Sequence, residues 1–200
     1  MEETISGDYP NPFATFARWF HQEVTTTKKR FPGACVLSTI GLDGFPNARN
    51  VSLKEIHHPH LIFTTALDSL KGREILKNNK VALTFWWEAS KRQVRIQGLA
   101  SEISDEDADF YFSERSKSSQ AVSVVSKQSH PLTDLQELKK SFNALMIDYQ
   151  EGVIPRPKAW KGFKVNPLQI EFLEFKETRF HNRVLYTQNG DAWEATQLQP

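Results

Sequence analysis

The order of helix and strand signals constrains this chain more than any single motif. One amphipathic helix signal comes first, antiparallel strand signals follow, then helices, then strands again. A parallel sheet needs strands alternating with helices, and that alternation is missing. Asn11-Pro12 opens the first helix, with Asn at the cap and Pro at the first helical position. Phe13, Phe16, Phe20 and Val24 then recur at helical spacing through about residue 28. Strands 34–40 and 47–53 flank Gly41-Leu42-Asp43-Gly44, which reads as a hairpin turn. A third strand covers 61–66, and Ser69 caps a short helix to about Asn78. Segments 81–87 and 93–103 make a further strand pair, with Gly98 marking a bulge or a close backbone approach.

Ser104-Asp105-Glu106 starts a helix carrying Phe110 and Tyr111, with acidic residues where the helix dipole favours them. Residues 115–130 hold another short helix. The 134–150 helix sets Leu135, Leu138, Phe142, Leu145 and Tyr149 on one face and stops before Pro155 and Pro157. Segments 163–175 and 183–187 return to strand, and Asn189-Gly190 turns the chain before Trp193. This order predicts a mainly β fold, an antiparallel barrel with peripheral α-helices. It is read as a single domain over 1–200, with an N-terminal helix at about 11–28, a helical insert at about 105–150 and C-terminal strands at about 163–198.

Charge and cysteine content remove several function classes. Lys+Arg is 25 against Asp+Glu 24, so a net charge of +1 supplies no global pull toward nucleic acid or membrane. Any anion site must come from local clusters. Cys35 is the single cysteine, which excludes an intramolecular disulfide and a cysteine zinc site. No apolar run approaches the roughly 20 residues of a membrane helix, and the acidic opening MEETISGDYP does not read as a leader. The expectation is a cytoplasmic globular protein without a metal site.

No glycine-rich nucleotide fingerprint, P-loop, nucleophile elbow or HExxH is present. What remains is a set of basic and hydroxyl residues at strand ends and loops. Arg49 and Lys54 bracket one strand. Thr64, Thr65, Ser69 and Lys71 surround a strand-to-helix turn, the kind of place that binds phosphate. Tyr111, Arg115 and Ser119 follow, then Lys127-Gln128-Ser129, then Arg179-Phe180-His181-Asn182-Arg183. Extended backbone in this last segment would put Arg179, His181 and Arg183 on one side. Singly, each has an ordinary use: a solvated charge, a helix cap, a ring at the core edge. Together they point to a barrel with helices that binds a phosphorylated ligand.

Motifs along nearly the whole chain sharpen that reading. Val125-Ser126-Lys127-Gln128-Ser129, Trp160-Lys161-Gly162-Phe163, Gln169-Ile170-Glu171-Phe172 and Arg179-Phe180-His181-Asn182-Arg183 resemble the pyridoxamine 5'-phosphate oxidase family. So do residues 49–54, 63–71, Arg92-Gln93-Val94 and Tyr111-Phe112 with Arg115. The resemblance implies an FMN-binding split β-barrel, Greek-key-like and antiparallel, working as a homodimer with FMN at the interface. It implies that Arg49, Asn50, Val51, Ser52, Thr64, Thr65, Ser69, Lys71, Gln93, Gln128, Ser129 and Arg183 hold FMN. Lys54, Tyr111, Arg115 and Ser119 would grip the substrate phosphate, with Arg179 and His181 over the pyridine ring as the catalytic pair. The implied reaction oxidises pyridoxamine or pyridoxine 5'-phosphate to pyridoxal 5'-phosphate. Dioxygen becomes hydrogen peroxide, and the amine substrate also yields ammonia.

Three departures qualify the match. Leu70 stands where the family has an Arg beside the phosphate-turn Lys, and Leu173 where it has a Trp. The N-terminal stretch is short, without an Arg- and Tyr-bearing segment that covers substrate. Weaker flavin retention and a more open substrate site are expected. The departures keep two alternatives open: a related FMN oxidase of the phenazine-biosynthesis type, and a non-catalytic flavin- or pyridoxal-phosphate-binding protein.

Overall fold

The computed structural model describes residues 11–27, 33–57 and 60–200. The opening decapeptide and residue 28, the expected end of the first helix, lie outside the described residues. Asn11 Oδ1 accepts the Phe13 N–H at 2.9 Å, which satisfies an orphan amide at the start of α1 (Pro12–Thr27). The buried stripe of α1 contains Phe13, Phe16, Trp19 and Glu23, while Phe20 and Val24 are only partly covered. Reading apolar residues alone found the edge of this stripe, because a charged residue occupies part of its centre. The Glu23 carboxylate accepts a bond from Ser90 Oγ at 3.2 Å, so its burial is compensated.

The remaining elements are β1 (Ala34–Ile40), β2 (Pro46–His57), β3 (His60–Ala66), α2 (Leu70–Lys77), β4 (Lys80–Trp87) and β5 (Arg92–Glu102). Then come α3 (Asp105–Ser113), α4 (Lys117–Val125), α5 (Leu135–Asp148), β6 (Trp160–Glu174), β7 (Asn182–Asn189) and β8 (Ala192–Leu198). The strands run β3-β2-β1-β4-β5-β6-β7-β8, and an added β3–β6 pairing closes the first six into an antiparallel barrel. The first half of β6 makes that seam, with Phe63 opposite Phe163 and Thr64 opposite Gly162. Its second half carries β7 and β8 outward. The β5–β6 register slips at Gln97/Gly98. A Cβ on Gly98 would collide with the Asn166 carbonyl, so glycine there permits the close backbone approach that its position in the strand suggested.

Alternation places Leu37, Phe63, Leu83, Phe85, Ile96 and Phe163 inside the barrel. Helix α1 packs on this core through Phe16 against Phe85 at 5.1 Å and Trp19 against Phe172 at 5.2 Å. A second, smaller core joins Ala108 and Phe112 of α3 and Ala121 of α4 to Ile154 and Trp160. Helix α5 rides outside, on α4. Phe142, Leu145 and Tyr149 of its expected face are partly covered, but Leu135 is 49% exposed and no residue of α5 is fully buried. An outermost layer has nothing beyond it to cover the whole stripe.

Cys35 lies inside the barrel, 3% exposed, and burial pushes its thiol pKa up to about 12. A protonated, inaccessible thiol is inert. Native protein is therefore expected to react with a thiol reagent only as fast as it unfolds. Titration with such a reagent, with and without denaturant, checks this.

Candidate functional site

Strand β3 ends at Ala66, and the chain turns through Ser69 into α2. Ser69 Oγ accepts the Gly72 N–H at 3.2 Å and donates to the Ala66 carbonyl at 2.6 Å. One hydroxyl thus caps the helix and ties it to the strand it leaves. A Cβ at Gly72 would collide with the Leu67 and Ala66 carbonyls, so glycine lets the first turn of α2 sit directly on the strand end. Lys71 is thereby aimed at the end of β3. Its Nζ donates to Gln128 Oε1 at 3.0 Å and to Thr65 Oγ1 at 3.3 Å. Thr65 Oγ1 also donates to Gln128 Oε1 at 3.2 Å and lies 3.3 Å from Ser69 Oγ. Burial lowers the Lys71 pKa, the nearby Arg49 charge lowers it further, and Glu74 opposes both.

This cluster forms one wall of a cavity of about 300 Å³, lined also by Asn50, Val51, Ser52, Thr64, Arg115, Ser123 and Trp160. The register of β2 against β3 slips between Leu53 and Glu55. Lys54 sits at that bulge, a device that re-aims a side chain. Burial lowers its pKa, and the Arg115 charge lowers it again, so the two cations lie within each other's field. Burial also lowers the Arg115 pKa. Arg115 Nη2 donates to the Ser119 carbonyl at 3.0 Å and Ser123 Oγ at 3.2 Å, and its guanidinium lies 5.1 Å from the Trp160 ring centre. Its Nε is buried and has no hydrogen-bond partner among the described residues. A half-buried guanidinium with an orphaned donor, within the field of a second cation, makes a site that an anion would stabilise.

The structure divides the expected site residues into two groups. Asn50, Val51, Ser52, Thr64, Thr65, Lys71, Arg115 and Gln128 line the cavity, with Ser69 bonded to Thr65 and Lys54 within the field of Arg115. Ser119 meets Arg115 through its carbonyl, while its hydroxyl is 2.8 Å from Ser116 Oγ. Tyr111 is buried in the smaller core. Ser129, beside Gln128, adopts a left-handed backbone at φ 71. Arg49 is turned to Glu74, at 2.8 Å, and is not among the residues lining the cavity.

The second group gathers elsewhere. Gln93, Leu173 and Arg183 sit side by side across β5, β6 and β7. Arg183 pairs with Glu171 at 2.8 Å and donates to the Gln199 carbonyl at 3.1 Å. The segment before β7 is not extended, so the condition under which Arg179, His181 and Arg183 would share one side is not met. Arg179 has a left-handed backbone at φ 69, and the His181 N–H reaches back to the Arg179 carbonyl at 3.0 Å. A tight turn therefore presents Arg179 and His181, and β7 begins only at Asn182. His181 Nδ1 accepts the Lys176 N–H at 3.1 Å, and its ring lies 4.9 Å from Phe175.

Sequence reading assigned no role to Trp160, Ser123 or Glu74. Trp160 stood in a recognised motif, so a signal existed. Ser123 and Glu74 carried none, because their partners, Arg115 and Arg49, come from other elements.

The family model described as pyridoxamine 5'-phosphate oxidase matches residues 22–146. A second, the pyridoxine 5'-phosphate oxidase C-terminal dimerisation region, matches residues 160–200, which contain β6 to β8. The pyridoxine/pyridoxamine 5'-phosphate oxidase of Gluconobacter oxydans is 38% identical over 190 residues, covering 95% of this chain and 94% of that one. The protein of the same name from Bartonella henselae is 40% identical over 192 residues, covering 94% and 92%. Among solved structures, PhzG from Burkholderia lata 383, in complex with tetrahydrophenazine-1-carboxylic acid, superposes with TM-score 0.93 at 28% identity, covering 100% of this chain and 98% of that one. A pyridoxamine 5'-phosphate oxidase-related, FMN binding protein from Nostoc punctiforme shares the fold at TM-score 0.73, 17% identity and 94% and 96% coverage. With a barrel of this topology, both halves matched by family models and relatives near 40% identity along almost its full length, the chain belongs to the pyridoxamine 5'-phosphate oxidase family and is an oxidase of that kind.

Proposed function

We propose that the chain oxidises pyridoxamine or pyridoxine 5'-phosphate to pyridoxal 5'-phosphate with bound FMN, passing the electrons to dioxygen. The observation that carries this reading is one cavity holding both Lys71 and Arg115, with the buried Arg115 Nε lacking a hydrogen-bond partner among the described residues and Lys54 near enough for the Arg115 charge to act on it. A phosphorylated cofactor and a phosphorylated substrate need two adjacent anion sites, and these residues fit both. Lys71, with the Ser69 turn and Thr65, would hold the FMN phosphate, and Asn50, Ser52, Thr64, Gln128 and Ser129 would line its polar edge. FMN supplies hydride acceptance and reoxidation by oxygen. The chain's own part is positioning. Arg115 and Lys54 would anchor the substrate phosphate by charge-assisted bonds, joined by the Tyr111 and Ser119 hydroxyls once these turn from the smaller core and from Ser116 Oγ. Trp160 and Val122 supply apolar surface to the cavity wall.

Gln93, Arg179, His181 and Arg183 do not line this cavity, so in the proposed dimer they reach it from the second copy. The dimerisation region at 160–200 contains three of them. The outer barrel face offers a surface for that copy: Val36, Trp86 and Leu99 are 37%, 51% and 37% exposed, and Leu99 lines an apolar groove of about 500 Å³. Arg179 then acts on the substrate. Arg179→Ala is expected to lower kcat far more than FMN affinity, and steady-state kinetics beside flavin titration check this.

Purified protein with FMN, followed by anaerobic addition of pyridoxamine 5'-phosphate, tests the whole reading. Bleaching of the flavin absorbance is expected. No gain of flavin absorbance in excess FMN refutes the cofactor, and flavin that binds yet stays oxidised favours a non-catalytic binder. The likeness to PhzG supports a second reading, oxidation of a phenazine precursor. That reading gains ground if such a tricyclic compound bleaches the flavin and the pyridoxal series does not.

The lowered Lys71 and Lys54 pKa values set a pH dependence. A lysine with a depressed pKa loses its proton at lower pH than a free one, so phosphate binding should weaken before the ordinary lysine range is reached. FMN affinity should therefore fall as pH rises through that region, while riboflavin affinity stays flat. Fluorescence titrations of both flavins across alkaline pH provide the check.

A further inference from the structure

Glu74 is 0% exposed and is not among the residues lining the 300 Å³ cavity. It sits one turn beyond Lys71 on α2. Its Oε2 accepts from Thr39 Oγ1 of β1 at 2.6 Å and from Arg49 Nη2 of β2 at 2.8 Å. Its Oε1 accepts from Asn47 Nδ2 of β2 at 2.5 Å. Arg49 is held in turn by Thr39 Oγ1 at 2.5 Å. A buried carboxylate is costly, and an apolar side chain often packs at least as stably in its place. A role in geometry or charge accounts for its presence better than stability does. The charges of Arg49 and Glu74 both reach Lys71, and Arg49 precedes Asn50 of the cavity wall.

We propose that Glu74 is a positioning residue for the phosphate end of the cofactor site. Paired with Arg49 and bonded to Thr39 and Asn47, it bolts α2 to β1 and β2, so that Ser69 and Lys71 present their donors to the cavity. Its negative charge keeps Arg49 from being an uncompensated neighbour of Lys71. The inference rests on the FMN reading above.

The test measures dissociation constants for FMN and for riboflavin, which lacks the phosphate, on wild-type protein, Glu74→Gln and Asn47→Ala. In Glu74→Gln the FMN constant should rise about tenfold relative to riboflavin, the usual worth of a charge-assisted bond. Asn47→Ala, which keeps the charge and removes one bolt, should move the same ratio about threefold and stays readable if the first variant fails to fold. Equal weakening of both flavins, or an unchanged ratio with a lower Tm, would reduce Glu74 to a fold residue and overturn the proposal. Tighter FMN binding in Glu74→Gln would overturn it too, since Arg49 would then serve the ligand best when released. Wild-type protein with no preference for FMN would sink the cofactor reading itself, and this inference with it.

Discussion

Replacing Arg115 with Met should lower kcat/KM for pyridoxamine 5'-phosphate by about 10²–10³-fold, the loss expected when one partner of a buried, charge-assisted contact is removed. The same change should alter kcat/KM for unphosphorylated pyridoxamine by less than about threefold, because only the phosphate uses the guanidinium. FMN affinity should hold, since Lys71 and the Ser69 turn lie on the other wall. Methionine is the replacement of choice because it keeps a polarisable contact with the Trp160 ring. The bonds to the Ser119 carbonyl and Ser123 Oγ will also be lost, so thermal unfolding must accompany the kinetics. Arg115→Lys keeps the charge but not the planar fork, and should fall between wild type and Arg115→Met. Equal losses for the phosphorylated and unphosphorylated substrates would show that Arg115 serves the fold and not the phosphate.

The largest stability effect is expected at the barrel seam. Phe163 is 1% exposed and meets Phe63 across the β3–β6 closure with ring centres 5.8 Å apart. Phe163→Ala should cost about 3–5 kcal/mol, the transfer loss plus a cavity that packed strands cannot collapse into. In a chain of this size that is roughly a 10 °C fall in Tm. Denaturant curves should show a lower midpoint with an unchanged slope. Flavin binding should weaken as well, because Thr64 and Thr65 of β3 pair with Gly162 and Lys161 beside the lost ring. Phe45, 72% exposed and outside the 160–200 dimerisation region, is the control, and its alanine variant should change stability by less than about 0.5 kcal/mol. A small effect at Phe163 would mean that β3 and β6 do not close the barrel in solution.

Much of the secondary structure was legible because its signals are local. Asn11 and Ser69 bond amides two and three residues ahead, and Asp134 caps α5 in the same way. Gly41 to Gly44 turn the β1–β2 hairpin through bonds within five residues. Such contacts are written in adjacent residue types. The motifs shared with the family made the cavity residues nameable before any geometry was known, but only as a set without positions.

The tertiary structure decided everything that depends on residues far apart in sequence. The β3–β6 seam joins segments about a hundred residues apart, a register no local pattern specifies. The same folding sends the Arg49 guanidinium to Glu74, brings Lys54 within the field of Arg115, and puts Glu23 on the buried side of α1. It also turns Arg179 into a left-handed corner between the strands read at 163–175 and 183–187. A charge finds its partner through burial and the meeting of elements, and a sequence read residue by residue holds the charges but not the meeting.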